Sequence, residues 1–426
     1  MTEELVALLA GRQIGRVTRD KGRLTFRYDE AWREDATAYP LSLSMPLAAA
    51  EHGAGVVEPF LWGLLPDNER VLDRWARLFQ VSARNPFALL SHVGEDCAGA
   101  VQFVRPERLE AVLSGAADGV EWLGDDEIAE RLRLLREDHG AWRLPADTGQ
   151  FSLAGAQPKT ALLHDGGRWG IPSGRLPTTH ILKPPTGHFD GHAENEHVCL
   201  ALARALGMPV ATSRVAQFGA EIAIVVERYD RVCVGNEIRR VHQEDVCQAL
   251  AIAPTSKYQN EGGPSVANVV DLLRTQSSDR GADIATFLGA IGFNWLIGGT
   301  DAHAKNYSLL LSGGPRVRLA PLYDVASVLP YDHIDLRRAK LSMKVGGEYR
   351  LRDIGLRHWK RLAQEIRYDE MRLIDRLKDM ATRLPDELAA IRAKARDDGL
   401  ALPVVERLEA RLNERSAECL KVIQGE

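Results

Sequence analysis

The chain has 426 residues, 45% of them hydrophobic and 27% charged, with a formal net charge of -5 at pH 7. That length predicts two or three domains or lobes, each able to bury its own core. The acidic balance argues against a basic nucleic-acid binder acting alone.

Residues 1–50 read as short strands and turns. In Gly22–Tyr28 the apolar Leu24, Phe26 and Tyr28 alternate with polar neighbours, the period of a half-buried strand. Residues 58–92 read as helical, with Pro66-Asp67-Asn68 opening one helix. Glu95–Val104 reads as strand. A stretch rich in Gly, Ala and charge, 105–123, marks a subdomain boundary, and a helix follows over Asp125–Glu137. Ser152–Leu163 reads as a hairpin around a turn of small residues. His180–Lys183 is a strand stopped by Pro184, and Glu194–Leu206 an amphipathic helix stopped by Gly207. Glu221–Val226 is a further strand. From about Asp245 the chain is mainly helical, interrupted near Asp301–Tyr331 by strand-like pieces. The expected fold is therefore α+β, a small β-rich lobe followed by a larger, mostly helical lobe. The divisions are 1–110, 111–245 and 246–426. The five cysteines (Cys97, Cys199, Cys233, Cys247, Cys419) are scattered and form no C-x-x-C pair, which suits a reducing cytoplasm rather than a disulfide framework or a zinc site. The N-terminus has no long apolar core, and no run reaches membrane-spanning length, so no membrane is expected.

One segment carries recognisable chemistry. Leu296-Ile297-Gly298-Gly299 ends a helix and leads into Asp301-Ala302-His303-Ala304-Lys305-Asn306. Phosphoryl transfer needs a carboxylate to orient or deprotonate the attacking hydroxyl, and an amide oxygen to hold Mg²⁺. The D-x-x-x-x-N spacing lets one short loop supply both. Tyr307–Leu311 and Arg316–Leu319 then read as a hairpin about Gly313-Gly314, which returns the chain to Pro321–Asp324 near Asn306. Asp301 is thus expected as the base, with Asn306 and Asp324 on Mg²⁺. Lys305 is read either as a contact to the transferred phosphate or as a solvated side chain, and His303 either as a site residue or as a packed loop histidine. Tyr323 is grouped with Asp324 as a nucleotide contact.

Lys183 ends a strand, and the following helix carries Glu194 and Glu196. A strand lysine held by a helix carboxylate is how kinases reach the α- and β-phosphates; either glutamate could serve. The small residues Ala154-Gly155-Ala156, with Gln157-Pro158-Lys159, allow backbone N–H groups to approach phosphates. Glu227-Arg228-Tyr229 follows a strand where backbone groups could meet adenine.

These segments resemble the HipA-type serine/threonine kinases, toxins of bacterial toxin–antitoxin modules. The likeness runs through Ser152–Thr160, His180–Pro184, Val226–Arg231, Gln243–Gln248, Lys257–Pro264, Trp295–Asn306 and Leu322–Val325. Gly63–Asp67 and Asn85–Leu90 extend it to the N-terminal part, so it spans nearly the whole chain in order. The resemblance implies a two-lobe, protein-kinase-like fold with a β-rich N-lobe, an added N-terminal subdomain and a mostly helical C-lobe. It implies that residues 154–159 cover the phosphates of ATP, that Lys183 binds ATP, and that Glu227 and Tyr229 flank the adenine. It implies a protein substrate, typically an aminoacyl-tRNA synthetase of the glutamyl type, whose modification halts translation and leads to dormancy. It also implies a HipB-like antitoxin as partner, through which operator DNA is reached, and autophosphorylation at Ser152. Pro158 departs from the family, in which glutamate is common there, and removes one backbone donor. Two other functions stay open on the residues alone: a small-molecule kinase, and a mainly non-catalytic co-repressor.

Overall fold

The computed structural model describes residues 2–143, 150–185, 189, 191–235, 237–397, 399–400 and 402–425. They form two compact units. Unit one comprises Met1–Pro184, Ala216–Thr255 and Ser308–Val317; unit two comprises Pro185–Val215, Ser256–Tyr307 and Arg318–Glu426.

Unit one begins with β1 (Glu3–Leu9), β2 (Arg12–Asp20), β3 (Arg23–Tyr28), the short α1 (Glu30–Arg33) and β4 (Glu51–Gly53). With β5 (Val101–Val104) they make a five-stranded sheet ordered β4-β3-β2-β1-β5. Leu24, Phe26 and Tyr28 of β3 are buried, as their alternation predicts. Between β4 and β5 lie α2 (Ala54–Gly63), α3 (Glu69–Phe79) and α4 (Pro86–Val93). Asn68 caps α3 by accepting from Arg70 N–H at 3.0 Å. Phe60, Leu61, Leu89 and Leu90 join Leu5, Ile14 and Phe26 in one core. Only Val101–Val104 of the expected strand Glu95–Val104 is extended. Asp96 and Cys97 are drawn instead into a buried polar network, and the chain turns at Gly99 with φ +79°.

The chain continues through α5 (Leu109–Ser114), β6 (Gly119–Leu123) and α6 (Asp125–Glu137), then β7 (Thr160–Asp165), β8 (Arg168–Ser173) and β9 (His180–Lys183). The expected hairpin over Ser152–Leu163 does not form. Extended pairing starts only at Thr160, and β7 pairs with β8 and β9. After Pro184 the chain enters unit two for α7 (His192–Ala205) and then runs into β10 (Ser213–Phe218) and β11 (Glu221–Glu227). The second sheet has the order β10-β11-β9-β7-β8-β6. Ile128 and Leu132 of α6 close its core against Leu162, Leu182 and Val225. β12 (Arg231–Val234) and β13 (Glu237–Arg240) form a separate ribbon. β14 (His242–Asp245) leads into α8 (Val246–Ala249) and neighbours β15 (Ser308–Ser312), which neighbours β16 (Arg316–Leu319).

β14 carries Glu244 into the interior of unit one, where its carboxylate accepts from Leu43 N–H at 2.8 Å and Ser42 Oγ at 2.5 Å. Burial pushes this carboxyl from its ordinary 4.5 up to about 8, against the pull of those two donors. A raised folded value means that stability is fully present below the ordinary value and lost as pH rises through about 8. Glu244→Gln should therefore flatten the fall in melting temperature between about pH 5 and pH 9. A wild-type-minus-variant difference that stays constant across that range would sink the assignment.

Unit two is mainly helical. Besides α7 it holds α9 (Val266–Gln276), α10 (Arg280–Ile297), the ribbon β17 (Lys340–Val345) with β18 (Glu348–Arg350), and then α11 (Leu356–Glu365), α12 (Glu370–Asp397) and α13 (Leu402–Gln424). The expected amphipathic character of α7 is corrected. Ala193, Glu194, Asn195 and Glu196 are buried along with Val198 and Leu202, because α12 and α13 both pack on this helix. Among the described residues no helix is long and apolar enough to cross a membrane.

Candidate active site

In unit two, α10 stops at Gly298, whose φ of +67° suits glycine, and Gly299 N–H returns to Asn294 O at 2.7 Å. A side chain at Gly299 would put its Cβ 2.1 Å from Asn294 Oδ1, so any larger residue there would have to displace the Asn294 side chain. The chain therefore leaves the helix tightly and presents Asp301 at the surface. Behind it the loop closes on itself. His303 N–H donates to Asp301 O at 2.8 Å, Asn306 N–H to His303 O at 2.9 Å, and Asn306 Nδ2 to the same Asp301 O at 2.7 Å. That last bond fixes the amide orientation. The nitrogen faces the loop, so Oδ1 is the atom left to meet a ligand.

Asp301 Oδ1 accepts from Tyr258 Oη at 2.7 Å, and Tyr258 meets the His303 ring edge-on at 5.0 Å. His303 and Lys305 are both buried, so neither is a solvated surface group. Tyr323 Oη donates to Lys305 O at 2.7 Å, and Ser327 Oγ to Ile297 O at 2.5 Å. The first bond ties the Leu322–Ser327 segment to the 301–306 loop, and the second ties it to the end of α10. Asp324 sits between them with φ +53°, a conformation that costs a non-glycine residue energy and is kept where the surroundings impose it. The site thus offers a neutral amide oxygen and a carboxylate on adjoining segments. That donor set fits Mg²⁺, which takes oxygen ligands and leaves several positions to phosphate and water. Among the described residues there is no cluster of three or more His, Cys, Asp and Glu that could hold a metal.

Unit one holds the other expected site residues. Lys183 is buried at the end of β9, opposite Ile224 of β11. Glu227 ends β11 exposed, and Tyr229 is half-buried with its hydroxyl bonded to Gln243. Arg228 requires a correction. Its N–H donates to Thr179 O, and its O accepts from Arg231 N–H. Its guanidinium reaches Asp230, Asp96, Thr178 and Cys97 O. The guanidinium of Arg228 is thus committed to a buried network, which gives its side chain a structural role.

The turn 152–159 is irregular. Ser152 is fully buried; its N–H donates to Asp96 O at 2.9 Å and its hydroxyl to Leu64 O at 2.7 Å. Gly155 takes φ +103°, open to glycine alone. Lys159 Nζ donates to Ala154 O at 2.7 Å and lies 5.1 Å from the centre of the buried Trp142 ring. Gln157 and the buried Pro158 complete the turn. Sequence reasoning gave no role to Tyr258, which lies 43 residues from the carboxylate it meets. Its place in the Lys257–Pro264 motif was the only signal.

Two family models match the chain: a HipA N-terminal domain over residues 5–104 and a HipA-like C-terminal domain over 151–388. A putative kinase of Sinorhizobium fredii is 38% identical over 359 residues, covering 83% of this chain and 84% of the relative. The serine/threonine-protein kinase toxin HipA of Shewanella oneidensis is 30% identical over 403 residues, covering 90% and 88%. A solved structure of the Shewanella oneidensis HipA, HipB and operator DNA complex matches with a TM-score of 0.84 and 27% identity, covering 99% of this chain and 98% of that one.

Proposed function

The chain belongs to the HipA family, and on that premise we propose that it is an ATP-dependent serine/threonine protein kinase acting as a toxin. The observation that carries the reading is the closed 301–306 loop, which leaves Asp301 exposed while it fixes the Asn306 amide with Nδ2 on the loop. In this reading Asp301 accepts the proton of the attacking serine hydroxyl, the γ-phosphoryl group passes to that oxygen, and ADP leaves. Asn306 and Asp324 hold Mg²⁺, which when bound neutralises charge on the phosphates. Lys183 and the turn 154–159 bind the phosphates, Glu227 and Tyr229 flank the adenine, and Lys305 and Tyr323 support the phosphate end beside His303.

The proposed substrate is an aminoacyl-tRNA synthetase, the glutamyl enzyme first, with arrest of translation and dormancy as the result. The proposed partner is a HipB-like antitoxin, with operator DNA reached through it; the solved Shewanella complex supports that choice. The test is incubation with labelled ATP and a lysate of the host, with Asp301→Gln as control. A labelled protein band that depends on Asp301 is expected. ATP turnover without such a band would favour a small-molecule kinase, and no turnover at all would leave the co-repressor reading.

Autophosphorylation at Ser152 belongs to the same proposal. Because its hydroxyl is buried on Leu64 O, the turn must leave that carbonyl before the oxygen can react. The added phosphate carries about -1.5 to -2 charge at pH 7, which prevents return to a buried site. After prolonged exposure to ATP the intact mass should rise by one phosphoryl group located at Ser152. Absence of that group in an active preparation would remove self-inactivation from the proposal.

A further inference from the structure

The turn 152–159 is not self-supporting. Its tethers come from the α2–α3 connection, roughly ninety residues earlier in the chain. Ser152 Oγ donates to Leu64 O at 2.7 Å, Asp67 N–H to Gly155 O at 3.0 Å, and Asn68 Nδ2 to Ala156 O at 3.4 Å. Pro66 and Gly155 form a parallel bridge. Lys159 Nζ takes the remaining carbonyl, that of Ala154. Three consecutive carbonyls of the turn are thereby occupied by donors. A carbonyl facing a phosphate repels it, whereas an N–H attracts it. Among the described residues no backbone carbonyl takes the N–H of Ala154 or Ala156. The tethers thus hold the carbonyl edge and leave a donor edge available.

The tethering segment is itself rigid. Leu64, Leu65 and Pro66 are buried, and Asn68 is fixed because its Oδ1 caps α3. Asn68 spans both structures, with its oxygen on the helix and its nitrogen on the turn.

We propose that Leu64–Asn68 is the backing plate of the phosphate-binding turn, and that Asn68 is a positioning residue for ATP acting through Ala156. The inference rests on the kinase reading of the turn given above. It makes the region matched by the N-terminal family model part of the nucleotide site, beyond any role in binding partners.

Two substitutions separate the turn from the helix cap. Asn68→Asp and Asn68→Ser both keep a side-chain oxygen for Arg70 N–H, and both residues are good caps. Each removes the Nδ2 donor. Because serine is uncharged, agreement between the two excludes simple repulsion of the nucleotide. In full-length protein both variants should raise KM for ATP about threefold to tenfold, the effect of losing one neutral hydrogen bond. kcat should change by less than about twofold and the melting temperature should hold, since the cap survives. An unchanged KM in both variants, or a loss of kcat and melting temperature without a change in KM, overturns the inference and leaves the kinase reading standing. Failure of the unmodified chain to bind or turn over ATP overturns the kinase reading, and the inference falls with it.

Discussion

Asp301→Asn is expected to lower kcat for phosphoryl transfer about 1,000-fold, the middle of the range for loss of a positioned general base. The fold should be unaffected, because Asp301 is exposed and its carboxylate has one described side-chain donor, Tyr258. Asparagine keeps an oxygen to accept that hydrogen bond. The carbonyl of residue 301, which receives both His303 N–H and Asn306 Nδ2, is main chain and survives the change. The loop should therefore stay closed, and the amide of Asn306 should stay oriented. What disappears is the negative charge that, in the proposed mechanism, takes the proton of the attacking hydroxyl. KM for ATP should move little, because the lost group acts on the acceptor. Initial rates at saturating ATP, read beside a thermal melt, check the expectation. A variant within about tenfold of wild type would mean that another group handles the proton.

The loop was legible as a loop because its signals are local. Asp301 and Asn306 lie five positions apart, and the Gly298-Gly299 pair that stops α10 is a recognisable helix end. The place of Lys183 at the end of a strand was legible for a similar reason, since strand and stop adjoin in the sequence. The turn 152–159 was recognised by its small residues, but its conformation was not. Its partners, Leu64 to Asn68 and Asp96, lie far upstream, and no periodicity links them to it. Arg228 shows the limit most clearly. A charged residue at the end of a strand is ordinarily exposed. Burial wins here because Asp230 is two residues away and Asp96 is brought in from 132 residues away. α7 departs from its expected amphipathic pattern for a related reason: two C-terminal helices cover faces that the isolated sequence would leave wet.

Asp96→Ala should be strongly destabilising to unit one. Asp96 Oδ1 meets Arg231 at 2.9 Å and Arg240 at 3.1 Å; Oδ2 meets Arg228 at 3.4 Å and accepts from Thr178 Oγ1 at 2.6 Å. Asp230 takes the other side of Arg228 and Arg231, at 2.8 and 3.0 Å. All five charged side chains are almost fully buried. Such a network is kept only when charges and donors are matched, because each ion has given up its hydration. Three arginines already face two carboxylates. Removing one carboxylate leaves a buried positive excess, which costs about 3–5 kcal/mol. Burial works against the charged form of Asp96, but Arg231, Arg228 and Arg240 outweigh it, so its carboxyl is held well below the ordinary 3.8. A depressed folded value gives stability that is present above the ordinary value and lost as pH falls towards the folded one. The wild-type protein should therefore lose stability steeply below about pH 4, whereas Asp96→Ala starts lower and falls less. Denaturant melts at about pH 7 and pH 3 distinguish this from simple loss of packing, which would lower both curves equally. Asp96 also accepts Ser152 N–H through its main-chain oxygen, which alanine retains. Damage confined to stability, with KM for ATP intact in the folded fraction, would show that the network holds the unit together without itself touching the nucleotide. A rise in KM would instead connect the buried ions to the turn that begins at Ser152.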